Sequence, residues 1–162
     1  MPQNTNLTSL QANLKAGDLD INNLSLDNAK LDVKAGDLTM YNAHINAGTV
    51  TLTAGDVDLE HSQLNQFDFT VTTGDLDCDN SQITNTSFKL RMVDFSAEHA
   101  TFKGEDNSIT STAGDVDITL ADKDLKINPS YFLGDADIAS DLNTSSQNTL
   151  TIDNKAGDIT IQ

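Results

Sequence analysis

The residues in this chain best suited to chemistry are aspartates set at fixed intervals. Eight of them, Asp18, Asp37, Asp56, Asp75, Asp94, Asp115, Asp135 and Asp158, follow one another at steps of 19, 19, 19, 19, 21, 20 and 23 residues. Five more, Asp20, Asp58, Asp77, Asp117 and Asp137, stand two positions further on in their repeats, so the two rows hold 13 of the 25 acidic residues. Rows of carboxylates can supply several oxygens to a hard cation such as calcium. They can attract a cationic partner through the summed field, or accept backbone N–H bonds at turns. Acid–base cleavage of sugars on a repetitive scaffold needs carboxylates in a cleft walled by long loops, and the regular repeats have no such loops, so no catalytic residues are assigned.

The spacing of the apolar residues shows what positions these carboxylates. Numbered from the Gly that precedes each Asp (Gly17, Gly36, Gly55, Gly74, Gly114, Gly134, Gly157, with Val93 in the fifth copy), column three reads Leu19, Leu38, Val57, Leu76, Phe95, Val116, Ala136, Ile159. Column five reads Ile21, Met40, Leu59, Cys78, Ala97, Ile118, Ile138, Ile161, and column ten of the regular copies reads Leu26, Ile45, Leu64, Ile83, Phe102. Leu31/Val33, Val50/Leu52, Phe69/Val71 and Phe88/Leu90 fill columns fifteen and seventeen. Alternation with period two is the signature of strands. One repeat cannot bury its own apolar side chains, but repeats stacked in register share a continuous core. The sequence therefore predicts an all-β fold, a single-stranded parallel β-helix of about eight coils of 19–23 residues, three strands to a coil, forming one domain over residues 1–162. Crossover chirality predicts right-handed winding. Leu7 and Leu14 fall in the columns of an incomplete first coil.

Both Asp rows alternate with buried columns, so both are expected to face outward on one sheet, as two carboxylate ladders. Unit charges about 4.8 Å apart repel by roughly 0.9 kcal/mol even in bulk water. Seven neighbouring pairs then cost roughly 6 kcal/mol before screening, comparable to a typical net stability. Turn hydrogen bonding, bound cations or solvation must offset it. The glycine-rich calcium nonapeptide and the EF-hand loop are both absent, so calcium is a possible ligand without a recognised motif.

Other candidates have structural readings. Column seven, Asn23, Asn42, His61, Asn80 and His99, collects residues enriched at positive φ and predicts a left-handed corner. This absorbs the Glu60-His61 and Glu98-His99 pairs, while His44 is isolated. Cys78 lies in an inward column and reads as core. The Thr51/Thr53 and Thr70/Thr72 pairs span too few coils for a flat Thr array. Pro129 and the stretch 143–148 mark loops.

Net charge is −16, which argues against nucleic acid and against adsorption to anionic lipid. Apolar residues make up 37%, lean for a globule, yet their strict spacing argues against disorder. The single cysteine can form no internal disulfide. No apolar run approaches a membrane span, and the first residues show no signal-peptide pattern.

The repeated Gly-Asp-φ-x-φ units, from Gly17–Ile21 to Gly157–Ile161, resemble those of the bacterial toast-rack, adhesin-type family of β-strand-repeat proteins. The resemblance covers nearly the whole chain. It implies a β-helical domain of the cell envelope, in a family with some members tied to envelope-stress sensing, and it implies no catalytic residues. The expected function is non-enzymatic surface presentation or binding of a protein, glycan or cationic peptide through the Asp18-to-Asp158 face. The alternative is a spacer or an assembly unit that stacks end to end. The strand-like end, Asp158–Gln162, is the expected open edge.

Overall fold

The computed structural model describes residues 7–162, and they wind into a parallel β-solenoid. One face is built from β1 (Ser9–Leu14), β4 (Asn28–Ala35), β7 (Gly48–Ala54), the first part of β10 (Phe67–Asp79), the first part of β12 (Ser87–Lys103), β13 (Asn107–Ala113), β17 (Thr149–Ala156) and β15 (Lys126–Leu133). A second face holds β2 (Leu19–Asn22), β5 (Leu38–Tyr41), β8 (Val57–Glu60), the later stretches of β10 and β12, β14 (Val116–Leu120), β18 (Ile159–Ile161) and β16 (Ala136–Ile138). The third face consists of β3 (Ser25–Leu26), β6 (His44–Ile45), β9 (Gln63–Asn65), β11 (Gln82–Thr84) and the end of β12. Three strands per coil thus hold only for the first five coils. Beyond them, loops that contribute buried Leu125 and half-buried Leu142 close the third side.

The inward columns make the core as the spacing predicts. Leu38, Met40, Val57, Leu59, Leu76, Cys78, Val116, Ile118, Ile159 and Ile161 are all buried. Burial pushes the Cys78 thiol well above its ordinary pKa, which makes it an inert filler rather than a nucleophile. Phe67, Phe69, Phe88 and Phe95 form a run of ring contacts with centroids 5.0–5.4 Å apart in the middle of the stack. At the first coil Leu14 is half-buried and Leu7 exposed.

All five column-seven residues adopt φ between 49° and 53°, so the left-handed corner is real. A second such corner at Gln66, Asn85 and Gly104 escaped the sequence reading because its residue types vary. At the Gly corner the need for glycine is steric as well as torsional. A Cβ on Gly55, at φ +134°, would lie 2.1 Å from the carbonyl oxygen of Gly36 in the coil before it. Val93 escapes this rule because it is absent from the positive-φ residues and buries its side chain in the core, where β12 runs straight through the corner.

The stack does not follow chain order at its far end. The coil of β17 and β18, last in sequence, lies between the coil of β13 and β14 and the coil of β15 and β16. Asp158–Gln162 is therefore an interior segment and not the open edge expected from the sequence. Leu120 donates to Gln162 O on one side at 2.8 Å, and Ala139 donates to Ile161 O on the other at 2.8 Å. Pro129 supplies a physical reason. Lys126 directs its N–H toward β17, so alternation turns Asn128 and Ser130 the same way and leaves the Pro129 nitrogen facing the open side. In an interior slot its missing N–H would strand a carbonyl of the next coil, whereas at an edge it costs nothing. The proline-free strand Thr149–Ala156, with Leu150 and Ile152 buried, takes the interior place.

The return loop is held by Asp124. Its carboxylate accepts Asn143 Nδ2 at 2.8 Å and Asn148 Nδ2 at 3.1 Å, and its carbonyl accepts the Ser146 hydroxyl at 3.1 Å. These hydrogen bonds, led by Asn143, hold the Asp124 carboxyl below its usual pKa.

Candidate functional site: the carboxylate face

Each column-two aspartate sits just past the Gly corner, and its side chain reaches to the following coil. The Oδ1 of Asp18 accepts the N–H of Asp37 at 3.0 Å, and the same bond recurs from Asp37 to Asp56 at 3.0 Å and from Asp56 to Asp75 at 2.9 Å. It continues from Asp94 to Asp115, from Asp115 to Asp158 and from Asp158 to Asp135, each at 2.9 Å. The order 115, 158, 135 follows the stack and not the chain. Among the described residues only the step from Asp75 to Asp94 lacks the bond, beside the Val93 corner. The column therefore has an identified structural role: charge-assisted hydrogen bonds between coils offset the repulsion of stacked carboxylates. The bonds join neighbouring coils and do not close a turn within one coil.

Column four is different, and here the expected second ladder is broken. Across the stack it reads Asp20, Thr39, Asp58, Asp77, Ser96, Asp117, Thr160, Asp137. Only Asp58 and Asp77 are neighbours. Asp117 and Asp137, adjacent in the repeat order, are separated by Thr160 of the inserted coil. Partial burial, followed by repulsion from Asp56, Asp37, Asp79 and Glu60, raises the Asp58 pKa. Burial and the charges of Asp58 and Asp79 raise that of Asp77, against a lowering hydrogen bond from Ser96.

Column six, which the sequence reading passed over, completes the face. Glu60 and Asp79 are paired neighbours, and Asp79 Oδ1 accepts the N–H of Glu98 at 3.1 Å. Thr39, Asp58, Glu60, Asp77 and Asp79 line a shallow depression of about 170 Å³. Reading two residues beyond column four would have found it. All the column-two and column-four aspartates are exposed except Asp77, which is half-buried.

Among the described residues no lysine or arginine pairs with this face, and His61 approaches it only at Glu60. Among the described residues the ion pairs of lysine are Lys34–Asp32, Lys103–Asp122 and Lys123–Asp141, and His61 Nε2 lies 4.0 Å from Glu60 Oε1. None involves any of the 13 column-two or column-four aspartates. Among the described residues no group of three or more His, Cys, Asp or Glu is arranged to hold a metal ion. The remaining candidates fit structural uses: His61 approaches the Tyr41 ring with centroids 5.7 Å apart, and Thr51 and Thr70 are flanked in their column by Asp32 and Lys89. Among the described residues no helix is long and apolar enough to cross a membrane.

Parallel coils, glycine corners and an outward carboxylate ladder define a β-solenoid of the toast-rack kind. The family model described as Toastrack DUF4097 matches residues 1–162, and the chain belongs to that family. No curated protein and no solved structure matches the chain.

Proposed function

We propose that the protein is a non-enzymatic presentation and binding domain of the bacterial cell envelope, and that its acidic face takes a cationic partner such as a basic segment of another protein. One observation carries this reading: the 13 aspartates of columns two and four are ordered on a rigid scaffold, and no cation of the chain pairs with them among the described residues. The two columns divide the work. Column two joins the coils, while column four is available to a partner. The envelope location rests on the family resemblance.

Oligolysine titrated by calorimetry is expected to bind, more weakly as salt rises, because the attraction is screened. The triple variant Asp58→Asn, Asp77→Asn, Asp117→Asn is expected to bind about tenfold more weakly, since three surface charge contacts contribute about 0.5 kcal/mol each. Its fold is expected to persist, because none of these side chains accepts an inter-coil N–H bond of the column-two kind. A carboxyl whose folded pKa lies above its unfolded value of 3.8 destabilises the fold when ionised. That penalty is relieved as pH falls through the raised pKa toward 3.8, so the contribution of Asp58 and Asp77 to Tm should grow on acidification and be absent in the triple variant. Binding that ignores salt, or is untouched by the three substitutions, would exclude this face as the binding surface.

A further inference from the structure

The two ends of the stack carry complementary halves of one joint. In every bond of the column-two ladder, the carboxylate belongs to the coil nearer the β1 end and the N–H to the coil beyond it. Among the described residues, Asp18 at the β1 end donates its N–H to nothing, and Asp135 at the β15 end accepts nothing on its Oδ1. The backbone repeats this polarity. Leu19 donates to Asp37 O, which turns Leu19 and Ile21 toward the second coil and leaves Asp18, Asp20 and Asn22 facing outward. At the other end Ile159 donates to Asp135 O and Ala139 to Ile161 O, which leaves the N–H and C=O of Ala136 and Ile138 facing outward.

The side chains at both ends are incompletely covered. Leu10, Ala12, Leu14 and Leu19 are only half-buried, although the next coil buries Leu31, Val33 and Leu38 in the matching columns. At the far end Tyr131 is 50%, Phe132 82% and Leu133 61% exposed.

We infer that the occupant of both ends is a second copy of this chain, stacked head to tail, so that β16 of one copy lies against β2 of the next in parallel. Asp135 Oδ1 of one copy then accepts the Asp18 N–H of its neighbour, and each apolar column runs on across the joint. Tail-to-tail contact is disfavoured, because it offers neither Asp135 carboxylate the N–H that the other bonded joints of the ladder supply. A heterologous joint of this kind does not close on itself, so its product is a linear rod that adds about 38 Å, eight strand spacings, per copy. Pro129 withholds one N–H from the joint, and the acidic charge opposes it. Both features keep the assembly reversible. This inference is independent of whether the acidic face binds a cationic partner.

The test is sedimentation velocity with light scattering on the full chain from micromolar to millimolar concentration. Average mass is expected to rise with concentration without a plateau at the dimer, and more steeply at higher salt. Ile138→Pro, which removes an N–H from the open edge and trims a half-buried side chain, is expected to keep the fold at a somewhat lower Tm but abolish association. Pro129→Thr restores an edge N–H and is expected to tighten association about fivefold, the value of one net hydrogen bond. Monomers throughout, for both the natural chain and Pro129→Thr, would overturn the joint. So would a closed dimer, or association unaffected by Ile138→Pro in a folded protein.

Discussion

Gly55→Ala is expected to lower stability by about 3 kcal/mol or more, the upper range for backbone forced into a glycine-only region. For a chain of this size that corresponds to a fall in Tm of roughly 6–12 °C. The cost has two sources. The backbone sits at φ +134°, which side chains rarely adopt, and the added Cβ would stand 2.1 Å from the carbonyl oxygen of Gly36. Relief by shifting the coils apart would stretch the Asp37-to-Asp56 bond of 3.0 Å in the same corner. Gly17→Ala is the matched control: its φ is +114°, but no atom of the described residues lies within 4 Å of the added Cβ. It should cost only the torsional part. Equal losses of Tm in the two variants would show that close stacking at the corner is not what demands glycine.

Thr160→Pro is expected to destabilise the fold by about 2–3 kcal/mol, the cost of a lost ladder bond plus a buried carbonyl left unpaired. Gln162 donates to Ile118 O at 2.8 Å, and alternation turns the Thr160 N–H toward the same strand, β14. The residue is flanked by Asp117 on one side and Asp137 on the other, so it has no free edge on which a proline could be tolerated. Ile138→Pro, one coil further out, leaves no buried carbonyl unpaired and should lower Tm less, by the lost packing of one half-buried side chain. Thermal melts of the pair report directly which of the two strands is interior. A harmless Thr160→Pro would place β18 at the edge.

Much of this architecture is legible in the sequence because five coils keep a strict period of 19. That regularity puts Leu19 through Phe95 in one column and predicts the positive-φ corner at Asn23 through His99. The carboxylate ladder is legible as a row, but not as a set of inter-coil bonds, since spacing fixes which residues align and not which atoms meet. Coil order is the main thing the period conceals. Any coil of matching columns can sit on any other, so Asp115, Asp135 and Asp158 read as consecutive when they stack as Asp115, Asp158, Asp135. The signal for the true order lay in one residue, Pro129, read from sequence only as a loop marker. Polar inward residues carry a weaker trace of the same change: buried Ser111 and Asn154 are paired neighbours where Val71 and Leu90 stood in earlier coils, and Ser111 Oγ and Asn154 Oδ1 have no hydrogen-bond partner among the described residues. The third face became irregular for a related reason, since the loops that carry the chain out to the terminal coil and back replace its short strands.

Coil order decides which carboxylates are neighbours, which strand is exposed and which ends can meet, so it is the point to test most directly. Thr151 is paired with Ser108 on one side and with Asn128 on the other. In a Cys78→Ser background, the double variants Ser108→Cys/Thr151→Cys and Asn128→Cys/Thr151→Cys are each expected to crosslink rapidly within one chain under mild oxidation, as adjacent strands about 4.8 Å apart allow. Ser108→Cys/Asn128→Cys should stay reduced, because the inserted strand holds those positions two spacings apart. Fast crosslinking of Ser108→Cys/Asn128→Cys, with none between positions 108 and 151, would mean that the coils stack in chain order and would contradict the inserted C-terminal coil.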